Sequence, residues 1–433
     1  MKILIRTGLI LLLSIQLLSQ TTDEIPGPER VLVVYKKPIE DDSTSYKIMS
    51  HYVDRRNIPF SNIVEIENLP IEVTYPGEGT VTLEQEGEDL RGDGKTGWLY
   101  VDEYLADPIE YYLNNTYVEG VLLKDKIRFI VLCKGLPLKV RMLPYVWNDG
   151  ARHHVSVDAL LCLLNQPTGR SFVELYEAPG NANPYFYPDT QFTMNYRFIS
   201  NYFVNQEEWY LQYLVSRLDG DNHEDVIAMI DRSVDPDMSG EKYWIIDDDP
   251  APAASGTMKE AHYILNSLGF NLKPEVYVNS PEWIVNNAPS YEQVIGYVSH
   301  GRNTAYRDPN RPRMPATYIL DTLDFDYADG AILNSWESFN GWSFGVTRND
   351  HGLISDFIHM GGTGGGGHVY EPGSASQERI IFPAYSMGYS IVEAIYQGIP
   401  SIAWKNTVIG DPLSRIYNCE NTVFVMLQGK SYN

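Results

Sequence analysis

Two segments in the second half of the sequence end in side chains that could take part in chemistry. The first is the run from Gln293 to Ser299, which leads directly into His300 and Gly301. The pattern predicts a strand, and open α/β sheets bind ligands at the carboxyl ends of their strands. His300 is therefore a candidate general base, and Gly301 is a candidate binding residue because it lacks a Cβ. The alternative is a histidine that satisfies the polar groups of a local turn.

The second segment, residues 329–335, is also largely apolar and ends 35 residues after His300. It leads into the sequence Trp-Glu-Ser-Phe-Asn-Gly at 336–341, so hydroxyl groups lie where this second strand is predicted to end. Parallel strands of one sheet present their carboxyl ends at the same edge. A hydroxyl at this strand end would therefore face the imidazole of His300.

A third candidate side chain, Glu371, follows the glycine-rich segment Gly361–Gly367. No Lys-Ser or Lys-Thr pair follows the glycines, so the segment is predicted to be a closely packed strand and not a phosphate cradle. Glu371 is expected beside His300, where a carboxylate could orient the imidazole or bind a cationic group of a ligand. The alternative is that Glu371 caps a backbone turn next to Pro372.

The other reactive side chains are expected to be ordinary. The acidic run Asp247–Asp249 is interpreted as a solvated turn before Pro250, and the alternative is that its carboxylate oxygens hold a cation such as calcium. No other cofactor is expected. Cys133 and Cys162 lie in apolar runs, which predicts buried thiols and not nucleophiles.

The elements that must position these residues alternate between strands and helices, which predicts a mainly parallel sheet with helices on its faces. In the first half, the predicted strands are Val31–Tyr35, Ile63–Ile66 and Ile127–Leu132, and the predicted helices are Ser43–Arg55, a segment around Ile109–Leu113, Glu207–Leu218 and His223–Val234. The segment 76–97 is interpreted as a connection and the segment 144–202 as a loop-rich insertion.

The second half repeats the alternation after a boundary near residues 235–242. Its predicted strands are Tyr243–Ile246, Val294–Val298 and Ala331–Leu333, and its predicted helices are Thr257–Leu268, Leu353–Met360 and Tyr389–Gln397. The strands at 243–246, 294–298 and 331–334 are expected to be neighbours in one mainly parallel sheet.

The first 20 residues read as a secretory leader. Lys2 and Arg6 precede the apolar run Gly8–Leu18, which is short for a membrane span. We therefore expect a secreted, periplasmic or cell-surface bacterial protein without a span after the leader, with an uncleaved anchor as the alternative. The formal net charge of −24 argues against a nucleic acid partner, because an acidic chain repels phosphate backbones.

Two strands that end in His-Gly and in a nucleophile followed by glycine are the arrangement of caspase-like cysteine peptidases, and the chain resembles their gingipain-like branch. It resembles more closely a family of uncharacterised exported bacterial proteins that is distantly similar to the gingipains. Six motifs occur in the order of that family: Asn57-Ile58-Pro59, Lys134–Leu138, Ser156–Asp158, Arg217–Gly220, Val369–Pro372 and Gly410–Pro412.

The resemblance implies an α/β fold of two linked three-layer α/β/α subdomains with mainly parallel sheets, caspase/gingipain-like. The subdomains are expected at 28–235 and 236–418, followed by a strand or tail at 419–433. In related proteins the chain often continues from this point into further domains. It implies a catalytic role for His300 and Ser338 and a binding role for Asp158, which lies in the segment similar to the Ser-Asp pair of the gingipains.

Two departures from the peptidases weaken the expectation of catalysis. Ser338 stands where they have cysteine, and a serine hydroxyl needs a base in hydrogen-bond contact because it is far less ionised than a thiol. The gingipain-like proteins also tend to have an acid after the central strand of the first half, where this chain has Cys133-Lys134-Gly135.

Three hypotheses follow. The first is a peptidase-like hydrolase acting on a peptide or protein, with His300 as base and Ser338 as nucleophile. The second is a catalytically inactive descendant that binds a peptide or glycan at the cell surface. The third is a structural module of a larger exported protein. Contact between Ser338 and His300 separates the first two, because a hydroxyl without a base is inert.

Overall fold

The computed structural model describes residues 25–40, 42–84, 89–93, 95–143, 154–165, 181–183, 185–186, 211–248, 255–278, 290–306, 314–345, 348–373, 376–402 and 404–416. The predicted leader, most of the predicted insertion at 144–202 and nearly all of the tail after 416 lie outside these ranges. Among the helices in these ranges, none is both long and apolar enough to cross a membrane.

The strands range from two-residue pairs to the eleven-residue β16. In chain order they are β1 (Val31–Lys36), β2 (Ile63–Ile66), β3 (Glu72–Tyr75), β4 (Gly79–Leu83), β5 (Asp89–Asp93), β6 (Tyr117–Val118), β7 (Val121–Leu122), β8 (Phe129–Cys133), β9 (Lys139–Leu143), β10 (His154–Ser156), β11 (Asn181–Ala182), β12 (Leu214–Leu218), β13 (Tyr243–Asp247), β14 (Asn271–Lys273), β15 (Tyr291–Ser299), β16 (Phe325–Ser335), β17 (Gly364–His368), β18 (Ser401–Ile402) and β19 (Asn406–Ile409).

The helices alternate with these strands through most of the described chain. They are α1 (Thr44–Arg56), α2 (Thr96–Val101), α3 (Asp107–Asn115), α4 (Leu123–Lys126), α5 (Val157–Leu161), α6 (His223–Ser233), α7 (Ser255–Ser267), α8 (Tyr318–Asp321), α9 (Ile354–His359), α10 (Glu378–Ser386) and α11 (Ile391–Gly398). A π-helical turn at Asp102–Ala106 joins α2 to α3, and a 3₁₀ turn at Gly301–Tyr306 follows β15.

One continuous sheet joins both halves of the described chain. Its ten strands have the order β14-β13-β15-β16-β17-β19-β12-β8-β1-β2. The strands β19, β12, β8, β1 and β2, here called the first block, are parallel to one another. The strands β13 to β17, called the second block, are also mutually parallel, but β17 is antiparallel to β19. The two blocks therefore have their carboxyl ends at opposite edges.

Helices cover both faces of this sheet, and the glycines of β17 show how closely they approach. A Cβ on Gly364 would lie 3.2 Å from the side chain of Ile391 on α11, and one on Gly365 would lie 3.1 Å from Ile354 on α9. Successive strand residues point to opposite faces, so α11 and α9 lie on opposite sides of β17. The run of glycines is thus the closely packed strand that the sequence predicted, inside a three-layer α/β/α arrangement.

Buried apolar strands account for the centre of the fold. Val31–Val34 of β1 and Phe129–Cys133 of β8 are almost completely shielded from solvent. Strands that are buried on both faces show continuous apolar sequences and not alternation, as parallel strands between helices do. The α/β class with a mainly parallel sheet is confirmed, and the strands at 243–246, 294–298 and 331–334 are neighbours as expected.

Two expectations for the first half were wrong. The prediction of a helix at Glu207–Leu218 is wrong for its last five residues. Leu214–Leu218 forms β12 in the middle of the sheet, and all five residues are buried. The connection at 76–97 contains β4 and β5, which belong to a second sheet of order β10-β9-β5-β4-β3. Polar residues and glycines mask these strands because the small sheet is only partly buried.

Candidate functional site

His300 follows β15 directly and is held by a carboxylate from the neighbouring strand end. Its Nε2 atom lies 3.0 Å from Oδ1 of Asp248, which follows β13, and both side chains are buried. The hydroxyl of Tyr277 donates to the other oxygen of Asp248. An ionised carboxylate only accepts hydrogen bonds, so Nε2 carries a proton and the lone pair of His300 lies on Nδ1. The imidazole is therefore in the tautomer that can accept a proton at Nδ1.

Asp248 is a candidate site residue that the sequence interpretation did not single out. The acidic run was interpreted as a solvated turn, and this is wrong for Asp248, which is 1% exposed. The signal was available: β13 and β15 were expected to be neighbours, so an acid directly after β13 had to lie beside a histidine directly after β15. Calcium binding by the run stays a prediction.

A buried carboxylate, Glu337, fastens the two strand ends together. Its Oε1 atom accepts hydrogen bonds from the main-chain N–H of Arg302 at 3.0 Å and of Gly352 at 3.2 Å, and its Oε2 atom accepts one from the hydroxyl of Tyr318 at 3.1 Å. Gly301 has φ +51°, and a Cβ there would lie 2.2 Å from the carboxylate of Glu337. Glycine is thus required here by close packing, and the binding role assigned to Gly301 stays a prediction.

Ser338 lies at the same edge of the sheet as His300, but its hydroxyl donates to Oε2 of Glu371. No hydrogen bond joins Ser338 to His300 in the described part of the chain. Glu371 also accepts the main-chain N–H of Gly373 at 3.1 Å, so it caps a turn as the alternative interpretation held. Its expected contact with His300 stays a prediction, and the pair that the structure forms is Ser338–Glu371.

A second imidazole, His368, ends β17 beneath the loop that carries Ser338. Its Nδ1 atom lies 3.3 Å from the carbonyl oxygen of Glu337, and its main-chain N–H donates to Asn340 at 2.7 Å. Burial lowers the pKa of His368 to about 4, so the ring is neutral at physiological pH. Its Nε2 atom is shielded and has no hydrogen-bond partner among the described residues.

Aromatic rings surround these groups. Trp336 lies against His300 with ring centroids 5.9 Å apart, and its indole N–H donates to Glu378 at 2.9 Å. Phe339 contacts Trp342 and Tyr370 at centroid distances of 5.8 Å and 4.8 Å. Trp336, Phe339 and Trp342, here called the aromatic row, are half-buried next to Ser338. The row offers apolar surface at the strand-end site.

Asp158 is buried in an ion-pair network of the first block. Its two oxygens accept hydrogen bonds from the guanidinium of Arg217 at 2.8 to 3.0 Å and from the hydroxyl of Thr407. Arg217 also donates to Asp219 at 3.0 Å. The structure therefore does not bring Asp158 into direct contact with His300, Ser338 or Glu371, and its binding role stays a prediction.

The two described cysteines are not nucleophiles of this site. Both are completely buried. Burial raises the pKa of the Cys133 thiol far above its ordinary value and that of Cys162 to about 12. A thiol with so high a pKa is not ionised at neutral pH, which confirms the expectation of buried, unreactive thiols.

No protein-family model and no curated protein matches the chain. Solved structures do. The complex of Porphyromonas gingivalis RgpB pro- and mature domains is 10% identical with a TM-score of 0.42, covering 90% of this chain and 81% of that chain. The Arg-specific cysteine proteinase gingipain R is 10% identical with a TM-score of 0.42, covering 90% and 79%. A further protease is 11% identical with a TM-score of 0.44, covering 90% and 79%. Similarity at this level assigns no activity to the chain.

Proposed function

We propose that this chain is an exported hydrolase of caspase/gingipain-like fold that cleaves a peptide or protein, with His300 as general base and Ser338 as nucleophile. The observation that carries the proposal is the buried hydrogen bond between Asp248 and His300 at 3.0 Å. A histidine needs such a partner to keep one tautomer and to stabilise the imidazolium that forms when it takes a proton.

The proposed reaction is an acyl transfer in two steps. Nδ1 of His300 takes the proton of the Ser338 hydroxyl while Oγ attacks the carbonyl carbon of the substrate. The imidazolium, stabilised by Asp248, then gives this proton to the departing amine as the carbon–nitrogen bond breaks. Water hydrolyses the resulting ester with His300 again as base. The aromatic row would contact the substrate's apolar groups.

The hydrogen bond between Ser338 and Glu371 must be broken when the substrate binds. The hydroxyl donates to Glu371 in the described structure, so catalysis requires that this hydrogen bond break and that the hydroxyl come within hydrogen-bond distance of His300. A carboxylate so close to the nucleophile would also disfavour the negative charge of a tetrahedral intermediate. Substrate binding must therefore separate Ser338 from Glu371 before the attack.

The same contact favours a second candidate function, a binding module without catalysis. With its hydroxyl held by Glu371, Ser338 acts as a polar anchor, and the aromatic row beside it supplies flat apolar surface. Rings of this kind bind peptide side chains and the apolar faces of sugars. This candidate differs from the first in needing no movement of Ser338.

Labelling with a biotinylated fluorophosphonate, followed by mapping of the modified residue, tests the proposal. We expect the label on Ser338 in the wild type and none in Ser338→Ala. Loss of the base in His300→Gln should slow labelling by about 10²- to 10⁴-fold, and Asp248→Asn should slow it through the wrong tautomer of His300. Ser267→Ala, a change at an exposed helix serine, is the matched control and should label as the wild type does.

A folded wild type that reacts no faster than Ser338→Ala would overturn the hydrolase proposal. Binding to peptide or glycan arrays then decides the second candidate. Weaker ligand binding both in Ser338→Ala and on replacement of Trp342 by Ala, with wild-type binding in Ser267→Ala, would support a binding module. An export assay complements this test, because the localisation rests on the leader at residues 1–20.

A further inference from the structure

Away from the strand-end site, three potential metal ligands converge where α6 meets α9. Asp221 follows β12, Asp225 lies in the first turn of α6, and His359 is the last residue of α9. One ligand atom from each of the three residues lies within 4.8 Å of the other two. Two carboxylates and an imidazole from three separate elements therefore face one point.

The contacts within this group leave one ligand atom without a partner. Nδ1 of His359 lies 3.0 and 3.2 Å from the two oxygens of Asp225, and Asn222 donates to one of these oxygens at 2.8 Å. Oδ1 of Asp221 is shielded from solvent and has no hydrogen-bond partner among the described residues. A shielded carboxylate oxygen without a partner costs free energy, and a bound cation would offset that cost.

We propose that Asp221, Asp225 and His359 form a binding site for a divalent transition-metal ion of the zinc type. Zinc bonds to nitrogen and carboxylate oxygen are about 2.0–2.2 Å long, so two ligand atoms of one tetrahedral ion lie about 3.3–3.5 Å apart. The separation of His359 from Asp225 is within a few tenths of an ångström of this value. The ion takes the place of the proton between Nδ1 of His359 and the carboxylate of Asp225. Asp221 supplies the third ligand through its unpaired oxygen.

The ligand types select among metals. Calcium and magnesium prefer sites made of oxygen atoms alone, whereas an imidazole with carboxylates suits zinc and its neighbours among the transition metals. Three protein ligands leave one position of a tetrahedral zinc ion for water. His359 is half-exposed, with 50% of its side chain accessible, so the ion can enter from solvent.

The position of the site indicates what the ion would do. Asp221 lies in the segment that joins β12 to α6, Asp225 lies in the first turn of α6, and His359 ends the helix that leads into β17. The ion would therefore tie the first half of the chain to the second. It lies near the amino end of β17, at the edge opposite His300, so its role is to stabilise the fold and not to act on the substrate of the strand-end site.

Zinc titration of the purified full-length chain, stripped of metal and monitored by competition with a chromophoric chelator, tests the proposal. We expect one equivalent to bind the wild type and a rise of the unfolding midpoint, because a ligand that binds only the folded state stabilises it. Asp221→Asn and His359→Gln should weaken zinc binding at least tenfold. His51→Gln is the matched control. His51 also pairs with an aspartate, Asp231, at 2.9 Å, but the other side chain that contacts this aspartate is the cation Arg55 and not a second carboxylate.

Equal zinc affinity in the wild type, Asp221→Asn and His359→Gln would overturn the proposal, as would weakening in His51→Gln alone. Replacement by cobalt gives an independent reading, because its visible absorption bands report nitrogen and oxygen coordination. These bands should be lost in His359→Gln and kept in His51→Gln. Calcium added in place of zinc should leave the unfolding midpoint unchanged, and a rise equal to that with zinc would contradict the assignment of the metal.

Discussion

The two blocks of the sheet differ in whether selected buried polar side chains have all their hydrogen-bonding atoms paired. In the first block, Arg217 is completely buried and donates to Asp158 and Asp219 and to the carbonyl oxygens of Leu136 and Pro137. In the second block, His368 keeps Nε2 without a described partner, and the hydrogen bond of His300 to Asp248 leaves the lone pair of its other ring nitrogen available. The first arrangement satisfies its charges, whereas the second retains nitrogen atoms that can accept a proton.

This difference teaches where chemistry can occur in the molecule. A saturated ion-pair network holds its members in one geometry and offers nothing to a ligand, because each polar group already has a partner. A reactive group needs an unused lone pair and a fixed orientation at the same time. Among the described residues, His300 meets both conditions and Asp158 meets only the second.

The directions of the strands enforce the separation. Because β17 and β19 are antiparallel, the carboxyl ends of β8 and β12 lie at the edge opposite His300. An acid placed directly after β8 could not reach the imidazole from there. The absence of an acid in Cys133-Lys134-Gly135 therefore removes nothing from this edge, and Asp248 supplies the carboxylate from the second block instead.

Removal of Arg217 should give the largest effect. Arg217→Met leaves Asp158 and Asp219 as buried charges with fewer partners, which should lower the free energy of unfolding by about 3–5 kcal/mol. Denaturant unfolding of Arg55→Met is the control, because that arginine forms an exposed pair with Asp231 worth only about 0–1 kcal/mol. Equal losses in the two variants would show that the network does not stabilise the first block.

Gly301→Ala tests the close packing at the second block. The new Cβ would meet the carboxylate of Glu337 at 2.2 Å in a backbone with φ +51°, and strain plus overpacking should cost about 2–4 kcal/mol. Gly77→Ala is a matched control, because Gly77 has φ +83° and no atom within 4 Å of the added Cβ. It should cost about 1–2 kcal/mol from the backbone alone. A smaller loss at Gly301 than at Gly77 would mean that Glu337 moves freely.

Lys405 gives a third case, a buried cation whose described contacts are a carbonyl oxygen and aromatic rings. Its ammonium donates to the carbonyl of His154 and lies 4.3 Å from the ring centroid of Trp404. Burial lowers the pKa of Lys405 from 10.5 to about 7. Between these pH values the unfolded chain binds one proton more than the folded chain, so this residue makes stability rise with pH. Below pH 7 the folded and the unfolded chain both bind the proton. The contribution of Lys405 to the free energy of unfolding is then constant and at its lowest value.

Comparison of the wild type with Lys405→Met isolates this dependence. From pH 7 to pH 9 the wild type should gain about 2–3 kcal/mol of unfolding free energy relative to the variant. Lys47→Met, a change at an exposed helix position, should follow the wild type at both pH values. Parallel curves for the wild type and Lys405→Met would show that the ammonium remains charged in the folded chain.

Much of this fold could be predicted from the sequence, because its central strands are short apolar runs buried on both faces. β2 begins and ends where predicted, and helices α1 and α9 differ from prediction by one residue at each end. β12 was missed because Arg217 interrupts its apolar pattern, and nothing local shows that Asp158 and Asp219 neutralise that charge. The antiparallel contact of β17 with β19 is likewise set by distant segments of the chain.

The sequence predicted some of the side chains at the candidate site but neither Asp248 nor the pairing of the others. The strand ends identified His300, Ser338 and Glu371 at one edge because parallel strands deliver their carboxyl ends together. Which carboxylate meets which partner depends on loop conformation, for which the sequence carries little signal. Asp248 therefore holds the histidine, and Glu371, expected there, holds the serine.

The smallest effect should come from Ser338→Ala, and its comparison with Ser156→Ala contrasts the two blocks directly. Ser156 is buried and its hydroxyl oxygen caps α5 by accepting the N–H of Ala159, so its loss should cost about 0.5–2 kcal/mol. Ser338 is half-exposed, and Glu371 keeps the N–H of Gly373 when the hydroxyl is gone. Removing it should change the free energy of unfolding by less than about 0.5 kcal/mol. Denaturant unfolding of both variants measures this, and a greater loss for Ser338→Ala would mean that this serine holds the fold together and is not reserved for a ligand.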